Sequence, residues 1–149
     1  MKIAIGSDQR THLTDVVISK INDMGYDVEL FGPLSNHKMS WTDVARQVGE
    51  SVIAGTADEG ILFCWTGTGV SIAANKVPGV RAALCDDPET ARGARLWNNA
   101  NVLCLSIRRV SEVMAAEILD AWFTHEYVPN PEDDACLARL AGMEAAYFA

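Results

Sequence analysis

Five short apolar runs, at Lys2–Gly6, Tyr26–Leu30, Gly60–Cys64, Val80–Leu84 and Val102–Leu105, alternate along the chain with longer stretches of helical periodicity. Thr11–Met24 carries Leu13, Val16, Val17 and Met24 on helical spacing, and Asp43–Ala54 carries Val44, Val48 and Val52 at i, i+4 and i+8. Ser71–Lys76, Pro88–Leu96 and Glu112–Phe123 fill the other gaps, with Ser111 placed to cap the last. Such alternation predicts βαβ units and a parallel sheet. The continuous apolar character of the runs predicts strands covered on both faces. The expected fold is a Rossmann-like three-layer α/β/α domain with a five-stranded parallel sheet, residues 1–127, followed by a C-terminal helical tail, residues 128–149. Ligands in such folds bind beyond the carboxyl ends of the strands, so the loops after Gly6, Cys64, Leu84 and Leu105 are where a site is expected.

The tail reads differently. Val128-Pro129-Asn130-Pro131 is a turn and a helix start, and Cys136, Leu137, Leu140 and Met143 then form an apolar stripe. That stripe needs a surface, in its own domain or in a neighbouring molecule.

A chain of 149 residues with 49% hydrophobic content can bury a core without disulfides or metals. Its net charge of −8 argues against nucleic acid as a partner, because binding that backbone needs a basic stripe. It leaves an anionic small molecule open, since a few local arginines override the global field. No apolar run has the length to span a bilayer, and the N-terminal run reads as a first strand rather than a signal peptide. Cys64, Cys85, Cys104 and Cys136 form no C-x-x-C pair. Reduced thiols and a cytoplasmic location are expected, with Cys85, Cys104 and Cys136 in packed positions. No metal and no cofactor are expected.

The sharpest local feature is Cys64-Trp65-Thr66-Gly67-Thr68-Gly69-Val70-Ser71, which comes after the third strand and opens a helix. Glycines at Gly67 and Gly69 let the backbone turn and aim its N–H groups at one spot, where the helix dipole adds positive charge. That spot suits a phosphate, a carboxylate or a developing enediolate. From spacing alone Cys64 fits either a structural strand residue or a thiol activated by the helix terminus. A nucleotide loop fits less well: Ile72 occupies the third glycine position of G-x-G-x-x-G, the loop comes after the third strand rather than the first, and there is no Walker lysine.

The next stretch, Ile72-Ala73-Ala74-Asn75-Lys76 and then Gly79-Val80-Arg81-Ala82, resembles the ribose-5-phosphate isomerase type B and galactose-6-phosphate isomerase family. That family carries Cys-Gly-Thr-Gly-x-Gly leading into Ser-Ile-Ala-Ala-Asn-Lys and Gly-Ile/Val-Arg-Ala. Gly6-Ser7-Asp8, Asn98 with Asn101-Val102-Leu103, and Asp120-Ala121-Trp122 match further family segments, so the resemblance runs in one register over about residues 1–124.

The resemblance implies an aldose–ketose isomerase working through a cis-enediol. It implies Cys64 as the thiol base, Thr66 assisting hydroxyl protons, and Asn98 contacting the reacting oxygens. The amides of Gly67, Thr68, Gly69, Val70 and Ser71 would form an anion hole for the enediolate. Asp8 and Asp43 would bind the sugar and Arg108 the phosphate. Asp8 fits equally well as a cap for the first helix. The family also implies a homodimer or larger even oligomer with sites at its interface.

Several departures matter. Gln9 and Trp97 stand where the family has histidines, the one at Trp97 linked to sugar-ring opening; tryptophan cannot move a proton but stacks on a sugar face. Trp65 adds a ring to the loop. The family's C-terminal Gly-Gly-Arg-His phosphate element is absent, and Glu132-Asp133-Asp134 stands near that point. Arg10 and Arg109 either compensate or lie on an ordinary solvated surface. The expectation is a sugar-phosphate isomerase with a changed substrate, short or already open-chain. The alternatives are a non-catalytic sugar-phosphate-binding subunit of the same fold and a nucleotide-binding Rossmann domain.

Overall fold

All five apolar runs form strands of one parallel sheet in a computed structural model that describes residues 1–148. The elements, in chain order, are β1 (Lys2–Ser7), α1 (His12–Asp23), β2 (Asp27–Phe31), α2 (Trp41–Ile53), β3 (Glu59–Cys64), α3 (Thr68–Ala74), β4 (Ala82–Leu84), α4 (Pro88–Asn98), β5 (Val102–Ser106), α5 (Glu112–Phe123) and α6 (Pro131–Tyr147). The strand order is β2-β1-β3-β5-β4. The chain winds outward from β1 to β2 and then returns to place β3 on the other side of β1. The crevice for a ligand therefore opens at the carboxyl ends of β1 and β3.

Strand alternation splits the core into two apolar layers. Ile3, Ile5, Ile61, Phe63, Leu103 and Leu105 face α1, α4 and α5. Ala4, Leu62, Cys64, Val102 and Cys104 face α2 and α3. Each fully buried aliphatic side chain contributes roughly 1.5–3 kcal/mol. Trp122 of α5 is wholly buried, and its indole N–H donates to Glu59 Oε2 at 2.6 Å. Arg95 closes this group with a salt bridge to Glu59 at 2.7 Å and lies over the Trp122 ring. Burial holds the Glu59 carboxyl above its ordinary value, against the opposing pull of Arg95 and the Trp122 N–H.

The helix starts obey local chemistry. Thr11, Ser40, Asp87, Ser111 and Asn130 cap α1, α2, α4, α5 and α6, each accepting a first-turn N–H. Ser111 is the expected cap. Ser40 starts α2 two residues earlier than the Val44 stripe indicated. The fourth strand is shorter than its apolar run, because Val80 N–H closes a turn on Val77 and Arg81 N–H donates to Asn101 Oδ1.

The tail is helical, as the stripe predicted, but no residue of α6 is buried. Its main tie is Glu144, whose carboxylate accepts the Gly79 N–H at 3.0 and 3.1 Å. A cleft of about 520 Å³ runs between α6 and the core, with Leu137, Leu140 and Met143 on one wall and Ala82, Trp97 and Asn98 on the other. Cys136 departs from expectation: it is exposed, because the stripe containing it is not covered. The Glu132-Asp133-Asp134 run occupies the first turn of α6, where negative charge complements the helix dipole. No helix among the described residues is long and apolar enough to cross a membrane.

Candidate active site

Cys64 ends β3 and is buried, with Sγ accepting the Gly67 N–H at 3.2 Å. The loop returns on itself because Gly67 adopts φ +77°, a conformation costly for side-chain-bearing residues. A Cβ on Gly67 would stand 2.6 Å from Leu84 Cδ1 and 3.0 Å from the Leu105–Ser106 backbone. Trp41 covers the next glycine: a Cβ on Gly69 would stand 3.0 Å from its ring. Leu84 and Trp41 thus hold the loop from two sides, a role that appears in no local motif and arises only from packing.

Not every amide from Gly67 to Ser71 is open. Gly67 donates to the Cys64 sulfur, and Ser71 donates to Gly67 O at 3.3 Å as the first bond of α3. The N–H groups of Thr68, Gly69 and Val70 remain as first-turn donors without an intrahelical partner. The Thr66 and Thr68 hydroxyls are exposed and 2.7 Å apart. Val70 is fully buried and anchors the turn.

The loop after β5 is bound to this one. Ile107 N–H donates to Cys64 O and Arg108 N–H to Trp65 O, both at 3.0 Å, and Ser106 Oγ donates to Trp65 O at 3.1 Å. Three arginines occur in the loops along this edge. Arg10 pairs with Asp15 at 2.9 Å and Arg109 with Asp86 at 3.2 Å. Arg108 is exposed and in no ion pair among the described residues.

Asp8 comes directly after β1. Since Ser7 pairs with Phe63, Asp8 leaves the end of β1 beside the level of Cys64, the last residue of β3. Asp8 does not cap α1; Thr11 does, in a reciprocal box with Thr14. Its Oδ1 is shielded from solvent and has no hydrogen-bond partner. Burial raises its carboxyl above the ordinary carboxylate value. Asp43 lies in the exposed first turn of α2, where it accepts from Ser40 Oγ at 3.0 Å and lies 3.7 Å from Arg46.

Trp97 and Asn98 lie elsewhere. They end α4, just before β5 begins, and Gly60 N–H donates to Asn101 O at that end of the sheet. Cys64 is level with Ser106, at the other end of β5. Four strand residues separate the two levels, roughly 13 Å. Trp97 folds over Gly93, is 54% exposed and carries the Arg92 guanidinium 5.9 Å from its ring. One chain therefore brings together Asp8, Cys64, the Thr68–Val70 amides and Arg108, and holds Trp97 and Asn98 apart from them.

Each histidine has a partner other than the thiol. His12 pairs with Glu112 at 2.6 Å, His37 is exposed beside Ser35, and His125 lies against Ala121 O. No group of three or more metal-ligating side chains occurs among the described residues.

Comparison with known proteins identifies the family. Residues 3–137 match the ribose/galactose isomerase family model. Ribose-5-phosphate isomerase B of Escherichia coli is 38% identical over 127 residues, covering 85% of each chain. D-erythrulose-4-phosphate isomerase of Pectobacterium atrosepticum is 36% identical over 135 residues, again 85% of each. The solved structure of Clostridium thermocellum ribose-5-phosphate isomerase B superposes with a TM-score of 0.92 at 38% identity, over 99% of both chains. On the strength of these matches in sequence and fold, the chain belongs to the ribose/galactose isomerase family.

Proposed function

We propose that this protein is an aldose–ketose isomerase of sugar phosphates acting through a cis-enediol. The observation that carries this reading is the Cys64 thiol at the β1/β3 crevice, with an amide on its sulfur and three open amides beside it. Cys64 takes the proton from the carbon next to the carbonyl and returns it to the neighbouring carbon. The Thr68, Gly69 and Val70 amides hold the enediolate oxygen, a preorganised donor set of the kind that contributes most to such reactions. Thr66 serves the substrate hydroxyls, Asp8 and Asp43 bind the sugar, and Arg108 takes the phosphate.

Asn98 and Trp97 enter the site from a second copy. The uncovered stripe of α6 and the cleft beside it support a homodimer or larger even oligomer. The chain works in the cytoplasm as a reduced enzyme.

The substrate is a short or open-chain sugar phosphate. Trp97 and Gln9 cannot transfer protons, and the three histidines make other contacts. A four-carbon aldose phosphate cannot close a furanose ring through its phosphorylated terminal oxygen, so it needs no ring-opening group. The relative named for D-erythrulose 4-phosphate supports this direction. The test is NMR in deuterated water with four-, five- and six-carbon aldose phosphates. Isomerisation with deuterium incorporation at the carbon beside the carbonyl is expected. Tight binding of these phosphates without exchange would instead establish a binding subunit.

A further inference from the structure

We infer that Asp8 is a second catalytic proton-transfer group, carrying a proton between the two substrate oxygens while Cys64 carries one between the two carbons. This rests on the isomerase reading above and goes beyond a hydroxyl-binding role for Asp8.

Position is the first argument. Asp8 is the first residue past β1 and Cys64 the last of β3, one step beyond the Ser7–Phe63 pair of two parallel strands that lie about 4.8 Å apart. Gly6, two residues before Asp8, faces the α2/α3 layer, where its missing Cβ would meet Val44, Val48 and Leu62, and Cys64 lies on that same face. The two groups thus border one space at the mouth of the crevice, the arrangement required to act on neighbouring atoms of one small substrate.

The second argument is what Asp8 lacks. Its Oδ1 is out of water with no partner, Thr11 supplies the cap that Asp8 would otherwise provide, and Asp8 is in no salt bridge among the described residues. An unsatisfied buried polar atom costs roughly 1–3 kcal/mol, which a bound donor or acceptor relieves. Burial raises the affinity of the carboxylate for a proton, which makes it the better base toward a substrate hydroxyl.

The cycle balances with these two groups. The Cys64 thiolate removes the proton on C2, the C–H electron pair forms the C1–C2 double bond, and the carbonyl π pair moves to O1. The Asp8 carboxylate takes the proton of the O2 hydroxyl and delivers it to O1, so the negative charge of the enediolate passes from O1 to O2. The O2 pair then forms the C2 carbonyl, and the C1–C2 π pair takes the proton from the thiol at C1. Thiolate and carboxylate are both restored, and no co-reactant is consumed.

The experiment compares wild type, Asp8→Asn and Asp8→Glu in deuterated water, measuring conversion and C2 deuterium incorporation into unreacted substrate. For Asp8→Asn, which keeps hydrogen-bonding capacity, kcat should fall by roughly 100-fold or more, as for loss of a positioned acid–base group, with KM changed less than about threefold. Exchange into recovered aldose should fall less than conversion, because Cys64 still works while the oxygen transfer stalls. Asp8→Glu should recover part of kcat. If Asp8→Asn keeps kcat within about threefold of wild type, or loses exchange and conversion in parallel with a raised KM, Asp8 only binds the sugar and the inference fails. If wild type itself neither exchanges nor converts any sugar phosphate, the isomerase reading fails and this inference with it.

Discussion

The Gly67 N–H points back at Cys64 Sγ from 3.2 Å, so the loop that ends β3 solvates its own thiol. On the isomerase reading, that held sulfur is the base. Cys64→Ser should therefore lower kcat by roughly two orders of magnitude or more, while the near-isosteric change leaves the melting temperature close to wild type. Steady-state kinetics and calorimetry check both parts. Iodoacetamide at neutral pH should label Cys64 well ahead of Cys85 and Cys104, as read by peptide mass spectrometry. Burial, reinforced by Asp87 and Asp86, pushes the Cys85 thiol up to about 12, and burial pushes Cys104 up as well.

Gly67→Ala should be damaging on two grounds. The residue sits at φ +77°, and a Cβ would run into Leu84 Cδ1 and the β5 backbone. A destabilisation of about 1–3 kcal/mol is expected, seen as a lower urea midpoint, with a loss of kcat because the Cys64 amide donor moves. Unchanged stability and turnover would show that the loop tolerates another path.

Asp8 should cost the folded protein stability when ionised. Burial raises its folded value above its unfolded one, so the folded state binds the proton more tightly. Its penalty is absent below the unfolded value, grows as pH rises through the window between the two, and is complete above the folded value. Asp8→Asn should accordingly melt higher than wild type at pH 7, and the difference should shrink toward pH 4. Scanning calorimetry at the two pH values decides it; a lower melting temperature for the variant at pH 7 would contradict the argument.

Sites shared between copies allow complementation. Cys64→Ser and Asn98→Ala should each be nearly inactive alone. Mixed after partial unfolding and refolding, they should recover roughly a quarter of wild-type activity, because half of a statistical mixture is heterodimer and one of its two sites is intact. No recovery, or a monomer by light scattering at micromolar concentration, would mean that each chain works by itself.

Chain length of the substrate provides the last test. kcat/KM should be higher for a four-carbon aldose phosphate than for ribose 5-phosphate. The opposite order would require another group, such as Asp43, Asn99 or a bound water, to open the ring.

The alternation of apolar runs and helical stripes was enough to define the five strands, the α/β class and the edge of the sheet that holds the thiol, because periodicity reports which faces are buried. The glycine turn was legible from local chain order, because it lies where a strand ends and the chain turns into a helix, whereas Cys64 and Arg108 were singled out only by the resemblance of the segments around them to a known family. Local order does not encode which distant residues meet. Only the tertiary structure decided that Leu84 and Trp41 clamp the loop, that Gly67 gives its amide to sulfur, that Thr11 frees Asp8 from capping, and that Asn98 stands at the far end of β5 from Cys64. Those outcomes depend on strand order and on close packing between segments remote in sequence, where a single Cβ or a single hydrogen bond determines which group remains available for chemistry.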